Sequence, residues 1–348
     1  MRNLWRILLG TVIGALASWY LLKNVSLPEI ISTLRSVPPG AMGATFVLMC
    51  SAYFFRLHRW KMLLSPLRDV PTMGLLSPLA IGLLGNVLPG RVGELLKGLL
   101  LGRKYSLSLV GSMATVVAAR LCDLIVTLLL CFWVFHFQVP AGHFSSVMPD
   151  ISLQVVLQGF SKVSLGLATL LVVLIYLMTS HRSLLHRILQ RLQRAIPLLQ
   201  LERLAPMIDE VGAAFGALRN WRILGYVVID SCLLWGITIL AFAPLYWAFD
   251  LQQKSIASLV TVRVMISVFI TVLPTPAFLG SFSAGAMVAL RDVFGESEVV
   301  AASFGVLVWG LNTLLVLLAG LLYVVVEGIS LQRLLSRRAG TTKTLSEP

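Results

Sequence analysis

The chain has 348 residues, 57% of them hydrophobic and only 12% charged, with 28 Lys and Arg against 15 Asp and Glu. A soluble domain carries about 25% charged residues, so a soluble globular fold is excluded and the chain reads as an all-α polytopic membrane protein. The formal charge of +13 then records orientation, because Lys and Arg collect in cytoplasmic loops, and no motif of a nucleic-acid reader accompanies it.

The first predicted span covers residues 4–22. Arg2, Arg6 and Ala15-Leu16-Ala17 imitate a signal peptide, but the apolar run continues through Trp19 to Leu22, so an uncleaved span is expected. A second span covers 40–57, followed by Arg56, Arg59, Lys61 and Arg68, which mark a cytoplasmic loop. The apolar stretch 73–102 is interrupted near its centre by Pro89-Gly90. Spans at 109–135 and 156–179 come next, joined by a loop, 136–155, that contains no Lys or Arg. The segment 181–222 holds seven Arg against three acids. Its Arg182, Arg187, Arg191 and Arg194 alternate with leucines and isoleucine at helical spacing, a basic amphipathic pattern suited to an anionic leaflet. The chain ends with a span at 223–248, a proline-broken stretch at 256–290, a span at 299–326 and a basic tail, 331–348.

The two broken stretches decide the topology. A single crossing by 73–102 would leave the uncharged loop 136–155 inside and the Arg-rich 181–222 outside, against the positive-inside rule. Two full crossings fail on length, because each half of the stretch falls short of the roughly 20 residues that a spanning helix needs. A re-entrant hairpin from the cytoplasmic side fits both. By the same reasoning, 256–290 is a re-entrant hairpin from the outer side, which keeps Arg333, Arg337, Arg338 and Lys343 inside. The expected architecture is one membrane domain over 1–348, with six transmembrane helices, two re-entrant helical hairpins and both termini cytoplasmic. Its halves, 1–140 and 150–330, form an inverted repeat: "PGRVGE" at 89–94 aligns with "PAFLGS" at 276–281, and "RLCDLIVTLLL" from Arg120 with "WGLNTLLVLLA" from Trp309. Inverted repeats with broken helices near the midplane are a transporter architecture.

The chemistry gathers in "NVLPGRVGELLK", Asn86 to Lys97. Pro89 and Gly90 break the helix, with Gly93 as a further flexible point, and the helix that restarts presents unpaired amides that favour an anion. Arg91 and Glu94 share a face at i,i+3, as do Arg120 and Asp123 in the following span. A charged group at the centre of a helix in a bilayer costs about 2.5–3.5 kcal/mol. Such groups are therefore either structural ion pairs that pin the hairpin or the walls of a polar cavity for an anionic head group. Arg263, in "SIASLVTVRVMISVF", either joins that cavity or snorkels to the outer surface. Pro274, Pro276 and Gly280 are the corresponding hinge of the second hairpin. Cys50, Cys122, Cys131 and Cys232 lie in apolar runs without CxxC spacing, which points to packing and to no metal site. No cofactor is expected. The five histidines lie at or beyond span ends, without the clusters of membrane di-iron enzymes or the His-Asp pairing of lipid phosphatases.

The run from Asn86 to Val126 resembles the signature of the lysylphosphatidylglycerol synthase transmembrane-region family, also called flippase-like. That pattern is N-x-x-P-G-R-x-G-E, a basic residue, then a span with E-R-x-x-D. Asn86, Pro89, Gly90, Arg91, Gly93, Glu94, Arg120 and Asp123 match it, while Ala119 replaces the acid before the arginine. The second half departs from it. Relatives show S-P-G-G-x-G and a following Glu where this chain has Thr275-Pro276-Ala277-Phe278-Leu279-Gly280 and Ser283, and an arginine expected near Trp309 is absent. The resemblance implies a lipid-handling membrane protein of the plasma (inner) membrane, with an altered outer-side site. No stretch is long enough for the aminoacyl-transferring domain of the larger members, so an enzyme is less expected than a flippase-like transporter. In that reading Arg91 and Arg120 contact the phosphate of an anionic lipid with Glu94 and Asp123 orienting them, and Asn86, Lys97 and Arg263 are further substrate-binding candidates. The absence of a nucleotide-binding motif makes transport downhill or ion-coupled. The alternatives are a membrane enzyme on a lipid-linked substrate, with Glu94 as base, or an accessory that delivers lipid to a separate lipid-modifying enzyme.

Overall fold

A computed structural model describes residues 27–87, 92–138, 153–180, 212, 214–272 and 275–328. The expected first span, most of the basic amphipathic segment and the tail lie outside the described residues. The described residues are helical and contain no strand. Five helical stretches are long and apolar enough to cross a membrane: Pro39–Leu64, Leu109–Gln138, Gly159–Tyr176, Trp221–Ala248 and Glu298–Val326.

In chain order the helices are α1 (Leu27–Ser36), α2 (Pro39–Leu64), α3 (Leu76–Val87), α4 (Gly93–Tyr105), α5 (Leu109–Trp133), α6 (Leu153–Ser180), α7 (Trp221–Leu240), α8 (Ala243–Ala248), α9 (Ile256–Val272), α10 (Leu279–Met287) and α11 (Glu298–Val326). Their starts are written in the sequence. Pro39 occupies the first turn of α2, where its missing N–H is not needed. The Ser108 hydroxyl accepts the Gly111 amide at 2.9 Å to cap α5, and the Asn220 side chain accepts the Arg222 amide at 3.0 Å to cap α7.

The proline-broken stretches are helix pairs. α3 and α4 run antiparallel and very close, because glycines face glycines. A Cβ on Gly93 would collide with the Gly82 carbonyl and the Asn86 side chain, and one on Gly82 would meet the Lys97 side chain and the Gly93 carbonyl. Toward the open end of the pair, Lys104 Nζ donates to Ser77 Oγ at 2.8 Å. Lys104 also binds Glu327, just past the end of α11, and the hydrogen bonds from Lys104 and Ser77 hold the Glu327 carboxyl below its ordinary range. α4 has 13 residues and is about 20 Å long at 1.5 Å per residue, short of the roughly 30 Å apolar core of a bilayer. α9 and α10 repeat the arrangement, with Gly285 set against the Ile266 backbone. Each pair packs on the long helix that follows it, α5 or α11. α2 packs along α7, and α11 along α3, where Gly320 admits the Leu84 side chain.

Three details differ from the expectations. The second span does not stop at residue 57 but continues as α2 to Leu64, so Arg56, Arg59 and Lys61 are helix residues and not loop residues. The charges did not end the helix because Arg59 is buried against partners on α5 and α7. Cys131 packs in the core, whereas Cys50 and Cys232 are exposed on outer faces. Where the basic segment leads into α7, Ala214, Phe215 and Ala217 are buried, and Phe215 packs with Leu63, Ala118 and Val227.

Candidate functional site

Four helices each present one face to a small open cleft with a charged lining. α2 contributes Arg56, Arg59 and Trp60; α3, Leu79; α4, Glu94 and Lys97; α5, Val116, Ala119, Arg120 and Asp123. The spacings are i,i+3, i,i+4 and i,i+7, which place side chains one above another on a helix.

Glu94 is the first hub. Its Oε1 accepts from Asn86 Nδ2 at 3.0 Å and from Lys97 Nζ at 3.0 Å, and it is bonded by Arg120 Nη2. Asp123 is the second hub. Its Oδ1 accepts from Arg59 Nη2 at 2.7 Å, and its Oδ2 lies 3.9 Å from Arg120 Nη1. Arg120 therefore bridges the two carboxylates. The Arg59 side chain is only 1% exposed, and its Nη1 donates to Ser231 Oγ of α7 at 3.1 Å. The Nε groups of Arg56 and Arg59 are buried without a hydrogen-bond partner among the described residues. Trp60 closes the floor, its indole donating to Thr115 Oγ1 at 3.1 Å.

Glu94, Lys97, Asn86, Arg120 and Asp123 thus come together as expected. Arg91, Pro89, Gly90 and Pro274 lie outside the described residues. Gly93 is the helical residue at the closest approach of α3 and α4, not an observed hinge. Arg263 is not among the cavity's lining residues. Its guanidinium lies 5.1 Å over the Trp235 ring and donates to Ser267 Oγ at 2.9 Å, within electrostatic reach of Arg56 and Asp123. Pro276 opens the turn Pro276–Phe278 before Gly280 and Ser281. The Thr275 and Ser281 hydroxyls meet across this turn at 2.8 Å. Ser283, where relatives carry Glu, is buried.

Sequence reasoning missed Arg56 and Arg59, which it assigned to a loop. The available signal was their i,i+3 spacing, the same as in Glu94/Lys97 and Arg120/Asp123. It also missed a His–Asp pair inside the helices: His58 Nδ1 lies 2.7 Å from Asp230 Oδ2, between α2 and α7, with Asp230 buried. This pair faces Phe54 and Tyr226 and does not line the cavity. Among the described residues, no three His, Cys, Asp or Glu side chains gather as a metal ion would require.

The cavity can do one thing well. Four cations against two carboxylates leave it net positive, which favours an anion. No curated protein and no solved structure matches the chain. The model of the lysylphosphatidylglycerol synthase transmembrane region matches residues 7–320, nearly the whole length, and the chain belongs to that family of multi-pass membrane domains.

Proposed function

We propose that this protein is a flippase-like lipid transporter whose cavity takes the phosphate of an anionic lipid and carries it between leaflets. The observation that carries the reading is the cavity's excess of cations, with Arg59 buried and one of its N–H groups still unpaired. An uncompensated buried charge is strongly unfavourable unless something neutralises it, and a phosphate matches the fork of a guanidinium.

In this reading α3–α4 and α9–α10 are re-entrant hairpins that enter from opposite sides, with six crossings and both termini cytoplasmic in the plasma (inner) membrane. The antiparallel packing and short helices of α3–α4 support re-entry, as does the contact of Lys104 with both Ser77 and Glu327. Glu94 and Asp123 hold Arg120 and Arg59 in position, and Arg91 adds charge at the break. The absence of a nucleotide-binding motif implies transport that is downhill or ion-coupled.

The test is reconstitution of the purified protein in liposomes with fluorescent anionic, zwitterionic and glycosylated lipids, scored by protection from a membrane-impermeant quencher. Anionic probes should equilibrate across the bilayer, and Glu94→Gln should abolish this while the protein still inserts. Binding of anionic lipid without translocation would leave a delivery role for a separate lipid-modifying enzyme. Topology is tested by labelling single cysteines: Asp69→Cys and Arg103→Cys should react from one face and Ser145→Cys from the other. Labelling of Asp69→Cys and Arg103→Cys from opposite faces would sink the re-entrant hairpin.

A further inference from the structure

The charge set of the cavity is uneven in a way that constrains the head group. Arg56, Arg59, Lys97 and Arg120 face only Glu94 and Asp123. Both carboxylates are already shared, Glu94 between Lys97 and Arg120, and Asp123 between Arg59 and Arg120. Arg56 lies over the Tyr53 ring at 5.5 Å instead of against an acid. Two positive charges are therefore left over, and two guanidinium Nε–H groups, on Arg56 and Arg59, lack a partner among the described residues. A ligand that satisfies this cavity brings two negative charges.

We propose that the cavity selects a dianionic head group, a phosphomonoester or a diphosphate, over a phosphodiester that carries a single charge. The inference rests on the reading of this cavity as a lipid head-group site. A phosphodiester neutralises one of the two surplus charges and leaves the other buried. A head group that adds an ammonium, as an aminoacylated lipid does, brings a further cation to a cavity already rich in them. A phosphomonoester supplies three oxygens for the guanidinium and ammonium groups of the lining and between one and a half and two charges at about pH 7, which matches the charge surplus.

The experiment uses the full-length protein in neutral detergent micelles, with thermal stabilisation as readout. The probes are phosphatidic acid, phosphatidylglycerol and phosphatidylcholine with identical acyl chains, and inorganic phosphate. At about pH 7.5 phosphatidic acid should bind at least about tenfold more tightly than phosphatidylglycerol, a difference of about 1.4 kcal/mol. At about pH 5.5 the preference should shrink, because a phosphomonoester loses its second charge near pH 6.

The groups that face the ligand are Arg56 and Arg59 on α2, Glu94 and Lys97 on α4, and Arg120 and Asp123 on α5, with Arg263 on α9 within electrostatic reach. The nearby His58–Asp230 pair lies between α2 and α7 and does not line the cavity. The series is repeated in His58→Gln, which keeps the cavity lining, so that the trend can be referred to the phosphate. Arg56→Gln should bring phosphatidic acid down toward phosphatidylglycerol, with the lipid-free melting temperature reporting whether the variant folds.

Equal binding of phosphatidic acid and phosphatidylglycerol, both above phosphatidylcholine, would overturn the dianion selectivity and leave the anionic-lipid reading intact. Equal effects of all three lipids would overturn both. Displacement of phosphatidic acid by inorganic phosphate at the same concentration would overturn the lipid as its source.

Discussion

In each half of the chain a pair of short helices packs on the long helix that follows it, and the two contacts differ in chemistry. In the first, the hairpin α3–α4 packs on α5 and the contact is ionic: Glu94 binds Arg120, with Asn86 and Lys97 completing its shell. In the second, α9–α10 packs on α11, and the residue aligned with Arg120 is Trp309, whose indole donates to the Ala277 carbonyl at 2.7 Å. The position aligned with Glu94 is Ser281, bonded to Thr275. Each long helix therefore reaches back to its hairpin near the break, once by a charge pair beside a cavity and once by a neutral bond in the packed core. The comparison separates what the fold needs from what the ligand needs. A donor from the long helix to the hairpin recurs in both halves, whereas the cations that line the cavity all come from the first half.

The largest effect should come from breaking the first half at its most buried ion pair. Asp123→Asn leaves Arg59 without its carboxylate at a site with almost no exposure to solvent, and removal of one partner from a buried pair costs about 3–5 kcal/mol. The variant should accumulate poorly or melt far below the parent. Asn312→Ala, at the aligned position in the second half, should change the melting temperature little. Comparable losses in the two variants would show that the halves are not divided in this way.

Glu94→Gln is expected to remove function while sparing the fold, because Gln retains an acceptor oxygen for Asn86 and Lys97. The charge that positions Lys97 and Arg120 is lost, and translocation should fall by at least tenfold, about 1.4 kcal/mol. Arg120→Gln should resemble it. The double variant should be little worse than either single one, since residues of one network are not additive. Additive losses would mean that Glu94 and Arg120 act separately.

Trp309→Phe keeps most of the ring and deletes the indole N–H. A lost hydrogen bond of this kind costs about 0.5–1.5 kcal/mol, with a further penalty where the carbonyl stays buried. A modest fall in stability with lipid selectivity unchanged is expected. A change in selectivity would place the second hairpin at the binding site.

The sequence made the helices legible because hydropathy and length alone identify spans, and a proline near the centre of each of two apolar stretches signalled that neither is one continuous helix. The i,i+3 pairs in α4 and α5 were legible because charges in apolar helices are costly and so stand out. Arg56 and Arg59 were not, because a basic residue at the end of a span is also what a cytoplasmic loop looks like. Only the tertiary contacts with Asp123 and Ser231 distinguish the two. The His58–Asp230 contact was hidden for a similar reason: its members are 172 residues apart, and nothing local pairs them.

The smallest expected effect concerns the turn of the second hairpin, where the departure from the family pattern has a backbone consequence. Ala277 and Phe278 both adopt left-handed backbone, with φ of 51° and 61°, at the positions where relatives carry two glycines. An L-residue there costs about 1–2 kcal/mol. Replacement by glycine removes that cost but raises the conformational entropy of the unfolded chain, a penalty of roughly 0.5–1 kcal/mol. Ala277→Gly loses only a methyl group, so the balance should favour the variant by a few tenths to about 1 kcal/mol. Its melting temperature should rise slightly. Phe278 packs against the main hydrophobic core, so Phe278→Gly also loses apolar contact worth about 1.5–3 kcal/mol for a fully buried ring and should melt lower. Opposite signs for adjacent substitutions of the same kind separate backbone conformation from side-chain packing. If Ala277→Gly melts no higher than the parent, the left-handed pair does not strain the second half, and the divergence of the two hairpins is one of charge alone.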